Sequence, residues 1–424
     1  MMKFCTALIF FVACIGCQTS FTESLNESLS VIPGADGFGI NTPAGRWGKI
    51  VRVTNLRDDG YGSLRYAIEM VEPRVIVFEV GGVIDLTRDL VVNHPYLTLA
   101  GQTAPSPGIT LKGAGLNLRS HDLLIQHIRI RVGDLAAASP PVTRDAVSMT
   151  GKDAYNIILD HLSASWAIDE IGSTWDGAHD ITVRHSIFSE GLNNSLHPKG
   201  AHGYGFLVGD KTLRILLVGN LFAHNADRNP RVKGPSTAII LNNVMYNNST
   251  DLVVGSRDGA ALASIVGNVF IDGHNSKTNK KKISVFPPDA HTGTLVFQYD
   301  NLSTSKQERL FWGYETPFNP YIDAPPVEWS GFKTFPAKDV EAWVLRIVGA
   351  RPKDRDNVDH RLIKETLERR GKIIDSQSEV GGWDDLQSTY RPLILPRNPH
   401  DDDDDDGYTN IEERLHDMAV AIER

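Results

Sequence analysis

The chain has 424 residues, enough for two or three domains or for one large repetitive unit. Hydrophobic residues make up 41% and charged residues 22%, which excludes a largely disordered or collagen-like chain and leaves material for a sizeable core. The net charge is −9, with six of those charges in Asp401–Asp406, so no global basic signal points to nucleic acid, and a polyanion would have to be met by a local basic patch or a bound cation.

The first predicted element is a leader. Lys3, an apolar stretch Ala7–Ala13 and small residues ending at Cys17 follow the order of a secretory signal, so residues 1–17 are expected to be removed and the protein secreted. The segment also resembles a bacterial lipoprotein leader, which would make Cys17 a lipid anchor and the protein an outer-membrane or cell-surface lipoprotein. Ordinary cleavage near Cys17 is the alternative. Cys5, Cys14 and Cys17 are the chain's three cysteines, so the mature protein has no disulfide and needs a large core or bound metal for stability. No later apolar run approaches the roughly 18 residues of a membrane-spanning helix.

Val51–Gly101 alternates turn clusters with strands such as Val75–Val80 and Leu97–Ala100. Gly60–Arg65 is glycine-rich but lacks the strand-to-helix context of a phosphate loop, and it reads as a turn into a short capping helix, Leu64–Met70. Seven β-branched runs follow, closing on His127, His161, His185, Asn220, Asn243, Asn268 and Asn301. Their spacings cluster near 24 or near 34, a base period with insertions of about ten. The helical patterns of a βαβ fold are absent between them. One coil per repeat predicts an all-β solenoid, a parallel β-helix over residues 34–305, with Asn220, Asn243 and Asn268 stacked as an amide ladder and the insertions walling a groove. Residues 306–424 form a partly helical extension, with helical spacing at Asp339–Val348 and Arg361–Arg370, expected to pack along the solenoid and cover an end. Within it, Asp402, Asp404, Asp406, Gly407 and Glu413 match the spacing of a calcium loop over 402–413, a second metal candidate; a solvated acidic run is the alternative.

Three segments carry a family resemblance. Gly60–Gly101, the Asp-His segment Ile158–Ser165, and His224–Lys233 followed by Asn242 and Asn243 resemble polysaccharide lyase family 1, the pectate lyases, whose fold is a right-handed parallel β-helix. Ile374–Gly382 and the acidic tail resemble the ends of exported bacterial members. The resemblance implies that Arg228, first in an Arg-x-Pro motif, is the catalytic base. Lys233 stands where the family has Arg, which keeps the charge and loses the bidentate fork. It also implies a calcium cofactor on Asp145 and on two carboxylates four apart, which fall on Asp169 and Ser173. Ser173 departs from the pattern, and Glu170 beside Asp169 is the candidate that compensates.

Such lyases work by β-elimination. A base takes the proton at C5 of a uronic acid and the 4-linked sugar leaves; a cation on the carboxylate stabilises the enolate-like charge. Calcium takes oxygen ligands, which is why Asp145, Asp169 and Glu170 are grouped. An arginine base needs its charged form disfavoured by neighbouring cations. Lys199, Arg231 and Lys233 are available for that and for binding substrate carboxylates. His197 and His202 lie in an insertion facing the groove and are expected to touch substrate. Trp166 and Trp175 flank the acidic pair, as a sugar platform or as packing. Asp160 and His161 read as structural, bonding within the stack. The expected partner is an acidic polysaccharide, most simply pectate, handled by a monomer without nucleic acid. The alternatives are another uronate polymer, a β-helix glycoside hydrolase, and a non-catalytic carbohydrate-binding solenoid. Against a hydrolase, Asp169 and Glu170 are adjacent and should face opposite sides of a strand.

Overall fold

The computed structural model describes residues 29–135, 144–277, 281–285, 290–304, 312–314 and 316–424. The leader and its three cysteines lie outside the described residues. The chain winds as a right-handed parallel β-helix, each coil giving one strand to each of three sheets. The first sheet runs from Lys49–Val53 to Leu295–Tyr299, with Tyr155–Asp160, His179–Arg184, Leu213–Val218 and Ser236–Leu241 at its centre. A second, the groove sheet, includes Leu116–Leu118, Val147–Thr150, Glu170–Trp175, Tyr204–Val208 and Arg231–Val232. The third carries Ile128–Arg131, Ser163–Ser165, Ile187–Ser189, Leu221–Ala223 and Val244–Tyr246.

Because successive strand side chains alternate between faces, every coil sends one set inward. Leu123, Ile157, Ile181, Ile215, Ala238 and Ala263 share one inward column of the first sheet, and all are fully buried in the central core. Burying such a column removes apolar area from water at roughly 25 cal/mol per Å².

The asparagine ladder is present. Asn220 Nδ2 donates to Asn243 Oδ1 at 3.0 Å, Asn243 Nδ2 to Asn268 Oδ1 at 3.0 Å, and Asn268 Nδ2 to Asn301 Oδ1 at 3.0 Å. Each side-chain oxygen also accepts the backbone N–H of the residue one coil earlier. Removing one amide would leave buried donors unpaired at about 1–3 kcal/mol each. A second column, in which the Asn248 Oδ1 accepts the Asn225 N–H at 3.0 Å, was not expected from the repeats.

The repeats need one correction. Gln126 pairs with Asp160 and Asp160 with Arg184, while Val218 pairs with Leu241. His127, His161 and His185 therefore precede the ladder column by one position and share a column with Gly219, Asn242 and Gly267. These residues turn the corner between sheets in left-handed backbone, with φ from 50° to 65°.

The capping helix is α1, Leu64–Ile68, with the Ser63 Oγ accepting the Tyr66 N–H at 3.2 Å. The extension packs along the solenoid, as its helical spacing led one to expect, and lies on the sides of the coils. Helices α2 (Ala337–Ile347) and α3 (Asn357–Glu368) lie on the third sheet, where Val340, Val344 and Leu362 pack on Ile187, Leu221 and Val244. Buried Arg131 and Arg129 of that sheet pair with Asp359 at 2.6 Å and Asp356 at 3.2 Å. The chain then returns toward its start. Thr389–Tyr390 pairs antiparallel with Val80 and Gly81, and a third helix, α4 (Asn410–Glu423), sets Ile411 and Leu415 against Val75, Val77 and Ala100 of the first coils.

Candidate active site

A cleft of about 550 Å³ runs along the outer face of the groove sheet. Register sets Asn117, Ser148, Ser173, Leu207 and Arg231 in one outward column. Trp175 and Lys233, two positions further on, also line the cleft.

At the start of these strands three carboxylates converge. Asp145, Asp169 and Glu170 each bring an oxygen within 4.8 Å of the others. This overturns the expectation that Asp169 and Glu170 diverge: Asp169 belongs to the turn before the strand, where the alternation of a pleated strand does not hold. Asp145 Oδ1 accepts the Glu170 N–H at 3.1 Å and its Oδ2 accepts the Ser173 hydroxyl at 2.6 Å. Ser173 thus supports a carboxylate where a second carboxylate was expected. Burial holds the Asp145 acid well above the usual carboxylate range, and Asp169 and Asp89 push it further. The three groups are hard oxygen donors, and like charge disfavours ionisation of Asp145 beside Asp169. This fits a calcium ion.

Arg228 faces the cluster. Its Nη1 contacts Glu170 Oε1, and its guanidinium lies 4.1 Å from the centre of the Tyr204 ring. The approach depends on Gly205, where a Cβ would stand 2.6 Å from the Arg228 carbonyl oxygen. Arg228 is mostly buried, and its pKa is lowered to about 10, first by burial and then by Arg231; Asp169 and Asp145 act in the opposite direction. Arg231 lines the cleft and its buried Nε has no hydrogen-bond partner.

The other expected contacts divide. Lys199 and His202 line the cleft. His202 Nε2 lies 3.2 Å from Asp169 Oδ1. His197 does not line it: the ring is 4% exposed and stacks behind His202 at 3.6 Å. Its Nδ1 accepts the Lys199 N–H at 3.2 Å, so it orients the loop that carries Lys199 and His202. Burial, and then His197, lowers the His202 pKa. Lys233 sits over Trp175 at 5.4 Å and is paired with Asp210 at 3.1 Å and Asp258 at 3.3 Å. The two tryptophans separate: Trp175 is in the cleft, while Trp166 is fully buried with its Nε1 donating to Glu190 at 2.9 Å. The sequence reading missed Asp89, Asn117 and Arg119, which complete the cleft from earlier coils. Asp89 accepts the Asn117 amide at 3.1 Å.

The fold and this cleft, with cations facing a carboxylate cluster across one sheet of a solenoid, define a β-helix protein built to hold an anionic chain. No family model matches the chain. Among curated proteins it is 33% identical over 382 residues to "Probable pectate lyase C" of Aspergillus terreus, covering 86% of this chain and 84% of that protein. It is 32% identical over 377 residues to the protein of the same name from Aspergillus flavus, with the same coverage. Of solved structures, a pectate lyase variant from Bacillus subtilis aligns with a TM-score of 0.56 at 13% identity, over 76% of this chain and 98% of that one. The cedar-pollen allergen jun a 1 aligns at 0.51 with 19% identity, over 73% and 91%; these two show the fold. The chain belongs to the pectate lyase family of polysaccharide lyases.

Proposed function

We propose that this protein cleaves pectate, a polymer of acidic uronic sugars, by β-elimination, with Arg228 as the base. The observation that carries the reading is Arg228 itself: a mostly buried guanidinium in the cleft with its pKa down to about 10. Near neutral pH about one molecule in a thousand then holds it neutral, far more than at its ordinary value above 12.

The substrate carboxylates meet Lys199 and Arg231, while Lys233 is partly neutralised by Asp210 and Asp258 and contributes less. Arg231 also disfavours a second positive charge on Arg228. The Tyr204 ring backs the guanidinium at 4.1 Å. Neutral Arg228 removes the C5 proton, the C5–H electron pair becomes the new C4–C5 double bond, and the C4–O bond breaks toward the leaving sugar. Asp145, Asp169 and Glu170 would hold calcium, which supplies positive charge against the substrate carboxylate and its enolate-like form. Glu170 favours charged Arg228 in the ion pair described above, so engaging Glu170 as a metal ligand also favours the neutral base.

Incubation with polygalacturonate tests the reading. The expected result is an unsaturated product seen as ultraviolet absorbance. Reducing ends without absorbance would mean a hydrolase, absorbance only with a different uronate polymer would reassign the substrate, and no product from any of them would mean a binding solenoid. Secretion suits an enzyme whose substrate is an extracellular polymer, and the leader supports it.

The tail is proposed as a separate, structural calcium loop. Asp402, Asp404 and Asp406 bring carboxylate oxygens within 4.8 Å, and Gly407 turns the loop at φ 96°. Glu413, in the first turn of α4, is not among the residues whose oxygens meet; burial and the charge of Asp404, Asp406 and Asp402 raise its pKa. Because α4 packs on the first coils, truncation would strip core as well as ligands, so point changes are the cleaner test. The double variant Asp402→Asn with Asp404→Asn should lose part of the calcium-induced rise in melting temperature and keep normal turnover. An unchanged calcium shift would make the tail a solvated acidic run.

A further inference from the structure

Away from the cleft, at the corner between the first and third sheets, a mixed cluster lies under the end of α4. His127, Asp160, His161 and Glu423 each place a ligand atom within 4.8 Å of the others. His127 is fully buried, His161 and Asp160 nearly so, and the Glu423 side chain is 18% exposed.

The hydrogen bonds fix the roles of the atoms. His127 Nδ1 lies 2.8 Å from the Ala350 carbonyl oxygen, which only accepts, so Nδ1 carries the proton. In the neutral ring Nε2 is then a bare lone pair. That buried atom has no hydrogen-bond partner, and it faces Glu423 Oε1 at 3.4 Å. His161 Nδ1 lies 2.9 Å from Asp160 Oδ1, which only accepts, so it carries a proton that a bound ion would displace; the same nitrogen stands 3.5 Å from the Glu423 oxygen. The His127 and His161 rings are stacked with their centres 5.1 Å apart. Separations of 3.4 and 3.5 Å are long for hydrogen bonds, but two ligands of one tetrahedral ion with arms of about 2.0–2.1 Å stand about 3.3 Å apart.

We propose that His127, His161, Asp160 and Glu423 form a second metal centre, for a divalent transition ion of the zinc class. Two imidazoles with two carboxylates suit zinc better than calcium, which prefers oxygen alone. The outer partners are those a metal-bound histidine and carboxylate use: Ala350 O orients the His127 ring, and the Gln126 amide donates to Asp160 Oδ2 at 2.9 Å. Positive charge opposes the ion from Arg184, whose Nε is 3.3 Å from Asp160 Oδ1, and from His185 at 4.0 Å. Burial and Arg184 disfavour the charged form of His185, so Arg184 is the cation in contact with Asp160, while Arg346, Lys353 and Arg424 line the adjoining cavity. A cavity of about 600 Å³ lined by His161, Trp343, Lys353 and Glu423 gives the ion a path from solvent. The centre would pin the last residues of α4 to the solenoid, at the opposite end of that helix from the acidic loop.

Metal analysis of the full chain in excess calcium, which fills the oxygen-rich sites, is the test. Zinc is the probe. The chain should retain about one zinc after dialysis, and a cobalt-loaded sample should show the intense visible bands of a four-coordinate site. Glu423→Gln, a change at a partly exposed helix end, should keep the fold, bind zinc at least about tenfold more weakly and lose the cobalt bands. His127→Ala should do the same if it folds. No zinc retained by the unaltered chain, or equal retention by folded Glu423→Gln, overturns the centre and leaves a proton-mediated contact between His127 and Glu423.

Discussion

Arg228→Lys should lower turnover on polygalacturonate by at least about a hundredfold, the scale of losing a positioned proton-transfer group. The fold should stay intact, because the side chain points into the cleft and not into the core. Lysine keeps a charge near Glu170 and loses two features. It has no planar guanidinium to lie on Tyr204 at 4.1 Å, and its single nitrogen sits differently toward a sugar C5. Initial rates at saturating substrate, with circular dichroism as the check on folding, measure this. A folded Arg228→Lys chain turning over near the normal rate would remove Arg228 from the chemical step and direct attention to His202.

Removal of calcium should abolish activity, and its return should restore it. Asp145, Asp169 and Glu170 form an anionic cluster in which burial and like charge already disfavour the Asp145 carboxylate. Asp169→Asn removes one formal ligand charge and should raise the calcium needed for half-maximal rate by about tenfold or more. The same change alters the partner of His202, 3.2 Å away, so the calcium titration is read at saturating substrate, where a weakened contact between His202 and the polymer matters least. Full activity in excess chelator would assign charge neutralisation to Lys199 and Arg231 instead.

The fold was legible because the β-helix writes itself in the sequence. A ladder asparagine must recur once per coil, and Asn220, Asn243 and Asn268 do so at spacings that no other element explains. The first two extension helices lay close to their expected positions, since their apolar periodicity is strong. Arg228 and the cations after it were legible through one compact motif. Three things were not. The histidine repeats mimic the asparagine repeats with a slip of one, which hydrogen-bond register alone resolves. Groove-sheet strands are short and show only alternate residues, so Asp89 on one early coil and Asn117 and Arg119 on the next have no local signature. Helix α4 follows directly on the aspartate run, whose calcium-loop spacing overlaps its first turns, although Ile411, Leu415 and Ala419 recur at four-residue spacing and are its buried face.

The dependence of kcat/KM on pH tests the central claim most directly. Arg228 has its pKa lowered to about 10 and acts only when neutral, so its active fraction rises about tenfold per pH unit below that value. Measured in saturating calcium from near neutrality upward, the rate constant should climb with that slope and level off by about pH 10, because calcium on Glu170 removes a partner that favours charged Arg228. The reactive form must be the deprotonated one, so the limb rises toward alkaline pH. A profile already flat between pH 7 and pH 9 would contradict the account: it would mean a base that is neutral at lower pH, as His202 is, and Arg228 would become a charged substrate contact.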